Sequence, residues 1–320
     1  MATNVQGYNT GSGVNQLSAE NATFYQTAML DRLTPELFFM NYGDKKNIPK
    51  RKGATANWRR LNNLAVSTTA ITEGVTPDGV DLSITPVNAT VQVYGNWTKI
   101  GEFIDLVGLD PLMTETAELM GENAGQSMDI IVRDIITAGT NVTYANGKAS
   151  RVTVAAADKI TAADILRLRR TMKKNKVKPI KLPDGSMGYL MFVSPDVALD
   201  LMQMQEWKDQ NTYVNTDNRK NGELGKLYGV YFLEAVNVSI DPTGGAASIP
   251  VHLNLMIGAG AYGVPDVEGS SKPEIIVHTA GSSGVADPLN QFNTVAWKSV
   301  FTSVILQQLA IIRYECAVST

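Results

Sequence analysis

Between Asp110 and Gly139 the sequence keeps a helical period for about 30 residues, and a rod of that length cannot be folded away inside a small core. Met113, Ala117, Met120, Ala124, Met128, Ile131 and Ile135 recur at three- and four-residue steps, close to the 3.6-residue turn of an amphipathic helix. Glu115, Glu118, Glu122, Asp129 and Arg133 take the other side. Asp110 suits an N-cap, Pro111 the first helical position and Gly139 the stop. At 1.5 Å per residue, a helix over 111–138 runs about 42 Å, well beyond the ordinary length. Such a spine has to lie along something, so its flanks decide the architecture.

Residues 1–53 carry no core-forming pattern and read as an arm. "SAENATFYQTAML" and "TPELFFM" suggest short helices, the second opened by Thr34 with Pro35 behind it. An extended charged piece, "GDKKNIPKRKG", follows. Residues 54–104 read as a long hairpin: "TANWRRLNNLAV" leads out, "EGVTPDG" turns and "VNATVQVYGNWTKI" returns. On the return, Val91, Val93 and Trp97 alternate with Gln92, Asn96 and Thr98, the period of a half-buried strand. Strands of some 15–20 residues would reach roughly 50–60 Å. The tip holds Glu73, Gly74, Pro77, Asp78 and Gly79, with little that is apolar around it. An isolated ribbon is marginal in water. This one needs a surface, either a neighbouring chain or its own domain folded beneath it, and Trp58 could pack across its strands.

Beyond residue 158 the pattern is mixed. "TAADILRLRRTMKK" starts a helix capped by Thr161, and "SPDVALDLMQMQEW" another opened by Ser194 and Pro195. "GYLMFVS", "LYGVYFLEAV", "VHLNLMI" and "EIIVHTA" read as strands, as do the last thirty residues.

An apolar fraction of 44% supplies a real core, and a net charge of −3 argues against a protein devoted to gripping nucleic acid. The one cysteine, Cys316, gives no disulfide framework and fits a reducing compartment. The opening shows no secretory pattern, and every apolar run stops short of the roughly 18 residues a membrane span needs. A cytoplasmic product is expected, with no membrane partner.

Catalytic signals are poor. "GAGAYG", Gly258–Gly263, matches a dinucleotide fingerprint, but "VPDVEG" stands where its helix should open. His252 and His278, the only histidines, lie on separate strands without a metal-ligand cluster. No G-x-S-x-G elbow occurs, although a Ser-His-Asp grouping in space stays open. No catalytic residue, cofactor or metal is expected. Two basic runs stand out. Lys45, Lys46, Lys50, Arg51, Lys52, Arg59 and Arg60 put seven positive charges on residues 45–60, and residues 167–181 carry eight. Each run reads first as a solvated face or a partner for an acidic neighbour, and second as a non-specific phosphate contact.

The order of parts, and the stretches "TEGVTPDG", "VYGNWTKI", "MDIIVRDIITAGTNVTYANG", "VSPDVALDL", "GELGKLYGVYFLEA" and "DPLNQFNTVAWK", resemble the major capsid proteins of tailed bacteriophages, the Hong Kong-97 fold, in the N-four-type branch. The resemblance implies an α+β fold with an N-terminal arm (1–53) and an extended E-loop hairpin (54–104). It implies a peripheral domain (105–157 and 286–320) with the spine helix, and a mixed α/β axial domain (158–285). It further implies hexamers and pentamers closing an icosahedral virion shell around double-stranded DNA, assembled in the bacterial cytoplasm. Portal, separate scaffolding and cement proteins would be partners. Glu73, Gly74, Pro77, Asp78, Gly79, Val91, Val93 and Trp97 would then lie across the neighbouring subunit. The seven cations of residues 45–60 would face DNA or another subunit. The namesake phage welds its shell through a lysine on this hairpin, whereas no lysine occurs here between Gly53 and Lys99. An encapsulin-like compartment shell is the alternative within the fold. An α/β enzyme with a ligand near Gly258–Gly263 is the alternative outside it.

Overall fold

The computed structural model describes residues 29, 38–62, 64–70, 73–74, 76, 78–107, 112–182, 185–211, 223–268, 271–280 and 289–319. The expected helix start at Asp110 and Pro111, nearly all of the first arm helix, Thr34–Pro35 and Pro77 lie outside them.

Strands β1 (Asp44–Asn47), β2 (Thr55–Leu61), β3 (Ile84–Thr90) and β4 (Gln92–Gly101) lead into helices α1 (Glu102–Val107) and α2 (Leu112–Thr137). Then come β5 (Val142–Tyr144), α3 (Ala162–Lys174), β6 (Ile180–Lys181), β7 (Met187–Val193), α4 (Pro195–Gln203) and α5 (Gln205–Asn211). The chain continues through β8 (Glu223–Leu227), β9 (Val230–Glu234), β10 (Ser239–Asp241), β11 (Val251–Ile257), β12 (Tyr262–Asp266) and β13 (Glu274–His278). It ends with β14 (Phe292–Phe301), β15 (Val304–Ile305) and β16 (Ile311–Cys316).

One sheet runs β1-β12-β14-β13, with β15 on β12 and β4 on β14. A second runs β5-β16-β11-β7-β9-β8, with β10 on β11 and β6 on β7. The ribbon β2-β3 stands apart. The sheets cut across the division read from the sequence: β12 and β13 join β4 and β14, while β5 and β16 join β11. Long-range pairing decides sheet membership, and no local pattern encodes it.

Helix α2 spans 26 residues, about 39 Å. Its buried stripe is Ala117, Gly121, Ala124, Met128, Val132 and Ile136, with Ile131 and Ile135 half-buried beside it. Gly121 is there because a Cβ would stand 2.3 Å from the Met29 carbonyl oxygen. Met29 is buried with Ala124 and Trp297, so at residue 29 the arm rests on its own subunit's helix and not on a neighbour.

Asp129, expected on the solvent side, is fully buried. Its Oδ1 accepts the Phe39 N–H at 2.7 Å and its Oδ2 the Asn237 amide at 3.3 Å. The Tyr262 hydroxyl donates to the Phe39 carbonyl, and the Phe39 ring lies 4.6 Å from Phe192. The carboxylate thus caps the 3-10 turn Phe39–Tyr42 from a helix 90 residues away. A single apolar core joins Phe39 to α2, to β7, β11 and β16 of one sheet, and to Tyr262, Val264 and Phe301 of the other.

Local chemistry explains the remaining helices. Thr161 caps α3 by accepting from the Asp164 N–H, and Ser194 caps α4 ahead of Pro195. The expected strand in "LYGVYFLEAV" is β9, and it is entered through a hairpin turn from β8: Tyr228 and Gly229 both have positive φ, 49° and 78°, as a primed turn requires. A buried ionic knot closes the second sheet. Arg151 grips Glu315 through Nε at 2.6 Å and Nη2 at 2.8 Å, and Arg313 Nε donates to the same carboxylate at 2.7 Å. Arg151 Nη1 reaches Asp241 at 2.7 Å, and Arg313 Nη1 donates to the Thr137 carbonyl at the end of α2.

Candidate intersubunit surfaces

Among the described residues the hairpin ladder runs only along its root, from Thr55↔Thr90 to Leu61↔Ile84. Seven residues at about 3.3 Å make roughly 20 Å of ladder, not the 50–60 Å expected. Ala56 and Ala89 face each other, buried. Trp58 lies on the β12 backbone, where a Cβ on Gly263 would stand 2.7 Å from its ring. Lys46 sits 5.5 Å over that indole and donates to the Asn57 carbonyl. The root is therefore fixed to its own subunit.

Beyond Asn62, whose N–H donates to the Ser83 carbonyl at 3.0 Å, no strand continues among the described residues. Glu73, Gly74, Asp78 and Gly79 are exposed, and a Cβ on either glycine would meet nothing within 4 Å. Gly74 has φ +79°, the left-handed region. The tip is less polar than the sequence suggested: Leu61, Leu64, Val66, Val80 and Leu82 are all large apolar side chains left exposed. Their irregular spacing hides them from a period search.

Val91, Val93 and Trp97 are not on the hairpin. At Val91, which donates its N–H to the Ala54 carbonyl at 2.9 Å, the chain leaves the ribbon, and β4 pairs with β14 instead. The alternation is a strand's, and the side turned to the subunit's own spine is that of Asn96. Asn96 faces the spine, where it and the Trp297 indole both donate to the Asn123 side-chain oxygen, at 3.3 and 3.0 Å. Val93 and Trp97 face outward, 62% and 63% exposed, beside Val300 and Ala296 in the register. This outer sheet face is open and mixed: Val93, Trp97, Ala296 and Val300 share it with Lys99, Lys298 and Thr294.

The first basic run forms no single patch. Lys45 and Lys46 are neighbours on β1, as are Arg59 and Arg60 on β2, and adjacent strand residues point to opposite faces. Lys50, Arg51 and Lys52 are exposed on the loop after β1, where the Lys50 N–H is held by Glu268 at 3.0 Å.

A Ser-His-Asp grouping does occur: Ser194 Oγ lies 2.7 Å from His252 Nδ1, and His252 Nε2 3.8 Å from Asp196. Ser194 is 1% exposed and serves as the α4 cap, and burial lowers the pKa of His252. A nucleophile without access is a structural hydrogen bond. Gly258–Gly263 turns from β11 into β12 with no helix to meet a pyrophosphate. No group of metal-ligating side chains gathers among the described residues, nor is any described helix long and apolar enough to cross a membrane.

Residues 84–314 match the family described as phage capsid protein. Among solved structures, the capsid of Ralstonia phage GP4 superposes with a TM-score of 0.72 at 14% identity, covering 98% of this chain and 96% of that one. The cyanophage Pam1 capsid gives 0.67 at 14% identity, covering 99% and 98%. The head of Helicobacter pylori bacteriophage KHP40 gives 0.63 at 13% identity, covering 86% and 87%. Among curated proteins no sequence matches the chain. The chain belongs to the phage capsid protein family. It is a structural protein of the virion, built on the α+β Hong Kong-97 fold of tailed-phage major capsid proteins, and not an enzyme.

Proposed function

We propose that copies of this chain, on the N-four-type branch of the family, assemble as hexamers and pentamers around double-stranded DNA. In this reading the loop of one subunit lies on the outer sheet face of the next. The carrying observation is that face. Trp97 and Val93 stand open on it, while the neighbouring loop offers Leu64, Val66, Val80 and Leu82 with nothing of their own to cover them. Burying such side chains is worth about 1.5–3 kcal/mol each. Repeated around a closed shell, contacts of that size suffice without any one being tight. Portal and separate scaffolding proteins complete the assembly.

Light scattering with electron microscopy on the purified chain tests the reading: closed shells hundreds of ångströms across are expected, and a stable monomer sinks it. Trp97→Glu with Val93→Glu should leave the fold intact, since both side chains are exposed. Losing about 3 kcal/mol per contact should raise the concentration needed for assembly roughly a hundredfold. Shells forming as readily as wild type would remove the sheet face from the interface. Because no lysine lies between Gly53 and Lys99, boiled shells should run on denaturing gels as a single band, not as a covalent ladder.

A further inference from the structure

We infer that the cationic row running from the end of α3 into β6 is a sequence-independent contact for the phosphate backbone of duplex DNA. The inference rests on the shell reading above and assigns one of its surfaces. Residues 165–182 carry eight cations and no carboxylate, so the rest of the chain has a net charge of −3 − 8 = −11. A polyanion approaching this subunit meets net negative charge over the rest of the chain, residues 45–60 apart, and is drawn to this row. Arg167 is held by Asp164 at 2.9 Å. Arg170, Lys173, Lys174, Lys176, Lys178 and Lys181 are all exposed. Among the described residues, none of these six makes an ion pair.

The row is built, not frayed. Val177 is 5% exposed, in the notch left by Gly258, where a Cβ would stand 2.3 Å from its methyl carbon. The Val177 carbonyl accepts the Tyr189 hydroxyl at 3.1 Å, and the Lys178 carbonyl accepts the Ala259 N–H at 2.9 Å. The glycine-rich turn that imitates a nucleotide loop thus serves to seat this segment. Buried Val177 lies between the exposed Lys176 and Lys178.

Two features argue for charge kept for its own sake. Lys173 and Lys174 complement the helix dipole, but Lys176, Lys178 and Lys181 lie past the helix end. Lys176 also occupies the left-handed position of the terminating turn, with φ 53°. There its N–H meets the Lys173 carbonyl at 3.0 Å and the Val177 N–H meets Met172 at 3.1 Å. Glycine is the ordinary residue at that position. The absence of aromatics from residues 165–182 removes base stacking, and lysine is depleted from protein–protein interface centres. What fits is a uniform, well-hydrated polyanion.

Full-length unassembled chain should bind duplexes of about 30 base pairs, two unrelated sequences alike, with affinity falling steeply as salt rises. Lys178→Gln with Lys181→Gln should flatten the slope of log K against log salt by about 1.8, at roughly 0.9 per cation. The charge-matched pair Lys272→Gln with Lys298→Gln should flatten it far less. Lys176→Gly should lower the slope by about 0.9 while leaving Tm unchanged or raised. Equal responses from both pairs, no response from the Lys178–Lys181 pair, or tight binding of polyglutamate without DNA binding would each overturn the assignment. Shell formation by the same variants, scored by microscopy, reports separately on the shell reading.

Discussion

Replacing Glu315 with alanine should destabilise the subunit by about 3–5 kcal/mol and lower Tm by roughly 10 °C. The carboxylate is 0% exposed and is shared by Arg151, 29% exposed, and Arg313, 17% exposed. Its bidentate bond is the main cause raising the pKa of Arg151. Without it, two guanidiniums converge on an empty space, and the residual contacts to Asp241 and to the Thr137 and Gly139 carbonyls neutralise only one of them. The damage spreads because the knot ties the end of α2, the Arg151 loop, β10 and β16 together. Glu315→Gln keeps the volume and one acceptor, and should lose less. Thermal unfolding of both variants decides it: shifts within about 2 °C for each would show that the knot is dispensable.

The stability contributed by Asp129 should fall as pH rises from about 4 to above 6. Burial pushes its carboxyl up to about 6, against the opposing pull of the Phe39, Phe38 and Met40 N–H groups and the Asn237 amide. An unfolded aspartate titrates near 3.9. Between those values the folded chain holds a proton that the unfolded chain has released, so raising pH favours unfolding. Two units correspond to about 3 kcal/mol, fully expressed near neutrality. Tyr262, the ionisable neighbour across Phe39, is pushed well above its ordinary value by burial and stays neutral throughout. Asp129→Asn keeps an acceptor for the Phe39 N–H and removes the ionisation, so it should exceed wild type in stability above pH 7. Asp129→Ala strands the N–H groups and should cost about 1–3 kcal/mol at any pH. Denaturant midpoints between pH 4 and 8 test this, and parallel curves for wild type and Asp129→Asn would refute it.

These two acids mark where the sequence stopped being readable. The spine was legible because thirty residues repeat one period, and α3 and α4 because Thr161 and Ser194 announce themselves as caps. Asp129 sits one residue off the apolar stripe, where a carboxylate ordinarily meets water, and its partner Phe39 is 90 positions away. Gly121 and Gly125 carried a usable signal, since mid-helix glycines in a strong helix-former context point to close packing. The strand pattern of Val93 and Trp97 was visible, but which face would be covered depends on β14, some two hundred residues later. The class of protein came from the resemblance carried by the order of parts and motifs, while the surfaces that would meet neighbours required the sheets.

The shared core around Phe39 has a mechanical consequence. Both sheets and the spine are cemented through the same apolar mass, so the subunit has no lubricated seam along which its halves could slide. In the shell proposed above, such close-packed subunits would resist bending. The shell's curvature would then be set where subunits meet and not by sliding within each one.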